Sequence, residues 1–235
     1  MKRIMLAALA AAVCPTAAEA SGRRYSITSF DRIQVDGSFD VTLTTGRSGS
    51  AVASGDMRAI DRLSLEVQGR TLVVRANQSA WSGGYPGQSS GPVEIELGTH
   101  ELTTASLNGS GTLHIDKVKA MTFDLSVQGA GAAGIAQADI DQLRIAVGGT
   151  GTVLVAGKSG KLAAVVRGLS TLDASKLAAK DAEIGAEGPA NVLASVSNAA
   201  KIDGSGVASV TLSGKPACTA RMIGSATLSG CRSVQ

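Results

Sequence analysis

The sequence predicts an all-β solenoid with coils of about 20 residues, and three observations carry that prediction. Short glycine-centred units recur at a near-constant interval, period-two apolar columns run through every unit, and large rings are almost missing. The units are LNGSGTLHI, VQGAGAAGI, VGGTGTVLV, VRGLSTLDA, AEGPANVLA, IDGSGVASV and MIGSATLSG. Aligned on their first glycine they give the anchors Gly109, Gly129, Gly149, Gly168, Gly188, Gly204 and Gly224, spaced 20, 20, 19, 20, 16 and 20. A fixed period of this length marks stacked repeats.

Two residues before the anchor stand Leu107, Val127, Val147, Val166, Ala186, Ile202 and Met222, all apolar. Four after it stand Leu113, Ala133, Val153, Leu172, Val192, Ala208 and Leu228. Six after it come Ile115, Ile135, Val155, Ala174, Ala194 and Val210, and Gly230 breaks the column in the last unit. Spacing by two turns side chains to one face of a strand, here the inside of a coil. Two after the anchor the residue is always small: Gly111, Gly131, Gly151, Ser170, Ala190, Gly206 and Ala226. That suits a tight bend where successive coils approach closely.

The N-terminal part, about residues 27–104, reads as strands and a hairpin. Phe30, Ile33, Val35, Phe39, Val41 and Leu43 alternate around Asp36 and Gly37. Leu63, Leu65 and Val67 meet Leu72 and Val74 across Gln68, Gly69 and Arg70 as a hairpin. Residues 54–61 are expected to hold a turn or short helix, and Val93, Ile95 and Leu97 one more strand. The repeated coils then fill about residues 105–231, and the whole is expected to be one domain, residues 21–235.

Residues 1–20 are set apart from that domain. Lys2 and Arg3 precede an apolar run from Ile4 to Val13, and Ala18, Glu19 and Ala20 supply a small-x-small cleavage site, so a removed signal peptide is expected. Export would place the protein in the periplasm or at the surface of a Gram-negative-type bacterium. Cys14 leaves with the leader, and Cys218 and Cys231 are expected to pair in an oxidising compartment. The remaining 20 Lys and Arg against 18 Asp and Glu leave a net charge near +2. So even a balance does not point to nucleic acid or an anionic membrane.

Gly129, Gly131 and Gly134 spell the dinucleotide fingerprint after a strand. A nucleotide-binding crossover needs about thirty residues to hold strand, helix and strand, and the next glycine unit arrives after 20, so the motif is one rung of the ladder. Gly157, Lys158 and Ser159 lack the glycine five residues earlier, where Thr152 stands, and form no phosphate loop. Asp116, Asp141, Asp173 and Asp203 occupy different registers, so no catalytic carboxylate pair is nominated. Neither His100 nor His114 lies at metal-ligand spacing from the cysteines, and both read as surface residues. No cofactor, metal or catalytic residue is expected. Trp81 and Tyr85, in the polar segment 77–91, are the candidate ligand contacts, against the alternative that they only cover the first coil. No aromatic follows Phe123, so the coils themselves read as scaffold.

FDRIQVDGSFDVTLTTG, the hairpin LSLEVQGRTLVV, the strand PVEIELG and the serial GSG units closing with VTLSGKP resemble the GIN domain family, the "putative auto-transporter adhesin" heads, over residues 27–231. The resemblance implies a right-handed parallel β-helix-like solenoid with an N-terminal strand region, in exported bacterial proteins, and carries over no catalytic residue. No barrel strands follow Cys231, so the chain is not expected to form a membrane barrel of its own. The functional expectation is an exported non-enzymatic binding or adhesion module, for a surface or envelope glycan or protein. The rival expectations are a periplasmic structural protein that assembles with itself and, behind it, a polysaccharide-active enzyme.

Overall fold

The computed structural model describes residues 22–77 and 93–232. Strand β1 (Arg23–Tyr25) is followed by β2 (Arg32–Asp36), β3 (Asp40–Thr45) and β4 (Ser50–Gly55). A short helix, α1 (Met57–Asp61), leads to β5 (Leu63–Gln68), β6 (Thr71–Ala76), β7 (Val93–Thr99) and β8 (Thr104–Gly109). Five long strands then each carry the chain around the solenoid: β9 (Thr112–Gly129), β10 (Ala132–Gly149), β11 (Thr152–Arg167), β12 (Thr171–Glu187) and β13 (Asn191–Gly206). The last coil is β14 (Ser209–Ser213), β15 (Ala217–Gly224) and β16 (Thr227–Ser229). The result is a β-solenoid of about 6 turns.

Strands β9 to β13 pair in sequence order and in parallel. Each coil has a first side, such as residues 112–115, a bent corner, and a second side, such as residues 122–129. The alternation read from the sequence appears as burial: Leu113, Ile115, Val118, Phe123, Leu125 and Val127 of β9 are each at most 2% exposed. Their neighbours in β10 and β11 stack on them residue by residue, so the core is a set of columns parallel to the axis.

The turn after each second side holds the stack in step. The Gly129 carbonyl accepts from Thr150 N at 2.9 Å, as the Gly109 carbonyl accepts from Ala130 N at 2.9 Å. Gly129 has φ +108°, and a Cβ on it would lie 2.5 Å from the Gly109 oxygen. Both the conformation and the space therefore demand glycine.

Pairing corrects the sequence register at the sixth unit. Gly206, not Gly204, pairs with Gly224 and has φ +78°, so the turn glycines are Gly109, Gly129, Gly149, Gly168, Gly188, Gly206 and Gly224, spaced 20, 20, 19, 20, 18 and 18. Val210 and Leu212 accordingly replace Ala208 and Val210 in the two inward columns. Gly204 faces inward with Ala186 and Met222, and a Cβ on it would meet Met222 Cε at 2.6 Å. The missing residues are absorbed at the corner, where the β12–β13 register shifts twice, between Ala174 and Ala178 and between Ala179 and Asp181.

The N-terminal strands are also coils. Strand β2 stacks in parallel on β8, and β3 on the first side of β9, with Gly37 making the turn between them. Strands β6 and β7 stack in parallel on β2 and β3 in turn. The end of β6 and the start of β7 thus lie at the edge where Gly37 makes the turn of the neighbouring coil. Antiparallel strands β5 and β4 pair with β6 and β7, and β1 pairs with β4. Helix α1 is N-capped by Asp56, whose Oδ1 accepts from Arg58 N and Ala59 N, and it buries Ala59 and Ile60. At the other end, Cys218 and Cys231 form a disulfide with Cα atoms 5.8 Å apart.

Two outcomes are expected. Gly129→Ala should lower stability by about 2 kcal/mol or more, and Gly46→Ala, at φ +73° with nothing within 4 Å, by about 1 kcal/mol; denaturant titration compares them. Reduction of the disulfide should cost about 3 kcal/mol on the chain-entropy account and open the last coil to protease, and alkylation without reductant should leave Cys218 and Cys231 unmodified.

Candidate functional site

Because the coils stack in register, the outward residues of the second side also form rows. One row is Ser126, Ala146, Val165 and Gly185, and it ends at Asp203. The adjacent row is Asp124, Arg144, Ala163, Glu183 and Lys201. The first row is built of short side chains and the second carries long ones, so the surface between them is concave. The groove measures about 500 Å³ and runs from Thr104 across the rungs to Asp203. Six rungs at the usual strand spacing make it roughly 24 Å long.

Charges in the long row are paired. Arg144 meets Asp124 at 3.5 Å, and Glu183 sits between Lys161 and Lys201 at 3.2 Å each. Hydrogen bonds from Lys201 and then Lys161, reinforced by their charges, hold the Glu183 carboxyl below its ordinary value of 4.5. On the far flank, Arg167 makes two contacts with Glu187, at 3.0 and 3.4 Å. The floor is apolar and its rails carry balanced charge.

A smaller groove of about 300 Å³ lies on the first side, where Gly134 leaves a gap between His114 and Leu154. Asp173 and Lys176 close one end of it, and the Asp173 carboxyl is held low by the Ser175 hydroxyl, then by its backbone N–H. His100 lies elsewhere, at the N-terminal corner beside Glu101 and Arg70. Among the described residues no three His, Cys, Asp or Glu side chains gather as a metal site. Asp173 and Asp203 stand in different rows, Asp173 opposite Leu154 and Asp203 opposite Gly185. Trp81 and Tyr85, the sequence candidates, lie outside the described residues. The groove was not nominated from sequence, since its floor mixes Ser, Ala, Val and Gly. Its one signal was that these outward positions are short in four successive units.

A family model described as "Putative auto-transporter adhesin, head GIN domain" matches residues 29–216. The chain belongs to the GIN domain family. Solved structures share the GIN-type fold across almost their whole length. A "putative adhesin" from Bacteroides fragilis superposes with a TM-score of 0.75 at 18% identity, covering 90% of this chain and 96% of that one. A "putative lipid binding protein" from Parabacteroides distasonis gives 0.69 at 18%, with 90% and 96% covered. A "putative adhesin" from Parabacteroides merdae gives 0.64 at 14%, with 90% and 95% covered. Identities this low establish a common fold for this GIN chain and nothing about its ligand. No curated protein matches the sequence. No helix among the described residues is long and apolar enough to cross a membrane.

The paired rail makes a titration prediction. With its folded value depressed, Glu183 adds stability above pH 4.5 that is lost as pH falls through the lower folded value. Carbon-detected titration should place the Glu183 midpoint below 4.5, and Lys201→Met should raise it more than Lys161→Met does.

Proposed function

We propose that the protein is an exported, non-enzymatic binding module that lays an extended glycan strand of the envelope or cell surface along the second-side groove. The observation that carries this reading is the groove itself, continuous over the rungs from Thr104 to Asp203, with a floor of short apolar side chains between charged rails. Such a floor accepts the apolar faces of sugar rings, and the rails offer donors and acceptors to hydroxyls on either side. The near-balance of Asp124, Arg144, Glu183, Lys201 and Asp203 favours a neutral chain over a polyanion. Membership of a family described by adhesin heads supports a binding role, and the lipid-binding description of one structural neighbour makes an acyl chain the competing occupant. Export rests on the leader pattern of residues 1–20, which lies outside the described residues. Trp81 and Tyr85 stand as additional contacts in this reading.

A second reading has its own observation. Strand β15 pairs with β13 and β16 with β14, and neither has a further partner among the described residues. An unpaired parallel edge is a template for another chain. On this reading the protein assembles through its C-terminal end in the periplasm, and light scattering at high concentration should then report dimers or larger species.

Gly185→Trp tests the groove. An added Cβ there meets nothing closer than 3.9 Å, so the variant should fold with an unchanged melting temperature while its indole fills the floor. Retention of envelope polysaccharide should fall about tenfold or more against the parent protein, since a filled floor excludes the ring contacts. Equal retention by both proteins would remove the groove from the account, and loss of vesicle binding instead would assign it to an acyl chain. Protease digestion of the protein on intact cells, with a protected periplasmic control, would place it outside.

A further inference from the structure

The two ends of the solenoid are finished differently. At the N-terminal end the chain closes its own core: α1 buries Ala59 and Ile60, and the edge strand β1 has three residues, two of them Arg23 and Arg24. Short charged strands of this kind discourage further pairing. At the C-terminal end the inward column loses its cover within one rung. Ala200 and Ile202 of β13 are 3% and 0% exposed, whereas Ala220, stacked on Ile202, is exposed, and Cys218 and Met222 on either side of it are half-buried. Among the described residues no strand pairs with the far edge of β15, so eight residues of backbone, roughly 26 Å, face outward beside the open end of the core. The other edge there, β16, offers only three residues.

Such an edge is completed by one more extended strand, whose side chains alternate inward and outward as those of β15 do. The inward positions of that strand would stack on Ala220 and Met222 and call for short or medium apolar side chains. Its outward positions would stand beside Thr219, Arg221 and Ile223, which continue the rows of Lys201, Asp203 and Ser205. Charge selects among strands. After Asp203 the sequence holds Lys215, Arg221 and Arg232 and no Asp or Glu. Arg221 is exposed at the middle of the edge and makes no ion pair among the described residues. A second copy is a poor occupant. Joined through β15 on both sides, two copies would set these cations against their duplicates; joined head to tail, they would set them against Arg23, Arg24, Arg58 and Arg62, which outnumber Asp56 and Asp61 at the other end.

We propose that β15 is a docking edge for an extended acidic peptide of a partner protein, added as a further strand with apolar residues turned in over Ala220 and Met222 and a carboxylate turned out beside Arg221. Main-chain hydrogen bonds supply the hold, the uncovered column rewards the apolar positions, and Arg221 selects the acid. The edge begins where the second-side groove ends, at Asp203, and its occupant does not depend on what the groove binds. It puts a foreign strand where the self-assembly reading puts a second copy.

The test is an amide-detected NMR titration of the full chain with the end-blocked heptapeptide TAEVEAT and its basic counterpart TAKVKAT. The acidic peptide should give saturable shifts centred on residues 217–224 with a Kd below about 1 mM, and the basic one should bind about tenfold more weakly. Arg221→Glu should reverse the order of the two peptides, and Arg221→Gln should bring them level; the side chain is exposed, so both variants should keep the parent melting temperature. If Arg221→Glu does not fold, the Arg221→Gln result decides. The proposal is overturned if the acidic peptide does not saturate by about 5 mM, if its shifts centre elsewhere, or if the parent protein binds both peptides equally. It is also overturned if the protein alone dimerises in sedimentation and its 217–224 amides exchange more slowly as its concentration rises, since a second copy then occupies the edge.

Discussion

Contact between backbones at the glycine turns sets the geometry of this protein. Each turn glycine from Gly37 to Gly149 presents its carbonyl at the place where a Cβ on the next turn glycine of the stack would stand. Coils can therefore approach to strand spacing only if that column has no side chains, and once they do, the carbonyl-to-amide bonds lock neighbouring coils in step. Length changes must then be taken up elsewhere. They appear at the opposite corner, where the register slips by one residue between Ile135 and Ala138, returns between Leu154 and Ala156, and slips again beyond Ala174. One edge of the solenoid keeps its register and the other takes up the differences in coil length.

That lock makes rows on the outside as well as columns on the inside. The groove floor from Ser126 to Gly185 is straight because the turns beside it do not slip. Inside, the column Phe123, Leu143, Leu162, Ala182, Ala200 and Cys218 passes from large to small as the coils shorten toward the C-terminus. A tapering core offers less apolar area to the last coils, and the Cys218–Cys231 bond stands where that loss is greatest. At the wide end, closure is by antiparallel strands and a capped helix.

Much of the fold was legible because solenoids repeat their physics at a fixed interval, and alternation survives even when coils are alanine-rich. The sixth unit was misread because Gly204, Ser205 and Gly206 offer two glycines for one turn, and the register shifts that decide between them lie upstream in residues with no sequence mark. The coil made by β2 and β3 was hidden for another reason. Its partners in β8 and β9 lie 72 residues away, so Asp36 with Asn108 and Asp40 with Thr112 share no local period. The groove escaped for another cause: its rows follow the local repeat, but its floor has no distinctive residue type. Outward positions answer to solvent and ligand, and their pattern is not forced by packing.

The 72-residue detour bears on how the chain reaches this state. Strand β2 lies between β6 and β8, and β3 between β7 and β9, so the earliest coil of the sequence is an interior layer of the stack. The first parallel neighbour of β2 is β6, at residues 71–76, and that of β3 is β7, at residues 93–99. Loop closure over such separations is slow compared with pairing of successive coils. Strand β2 can meet β6 once residue 76 is reached, but β2 and β3 are enclosed on both sides only when β8 and β9 have followed. The layer that closes last in sequence therefore covers strands from the beginning of the chain.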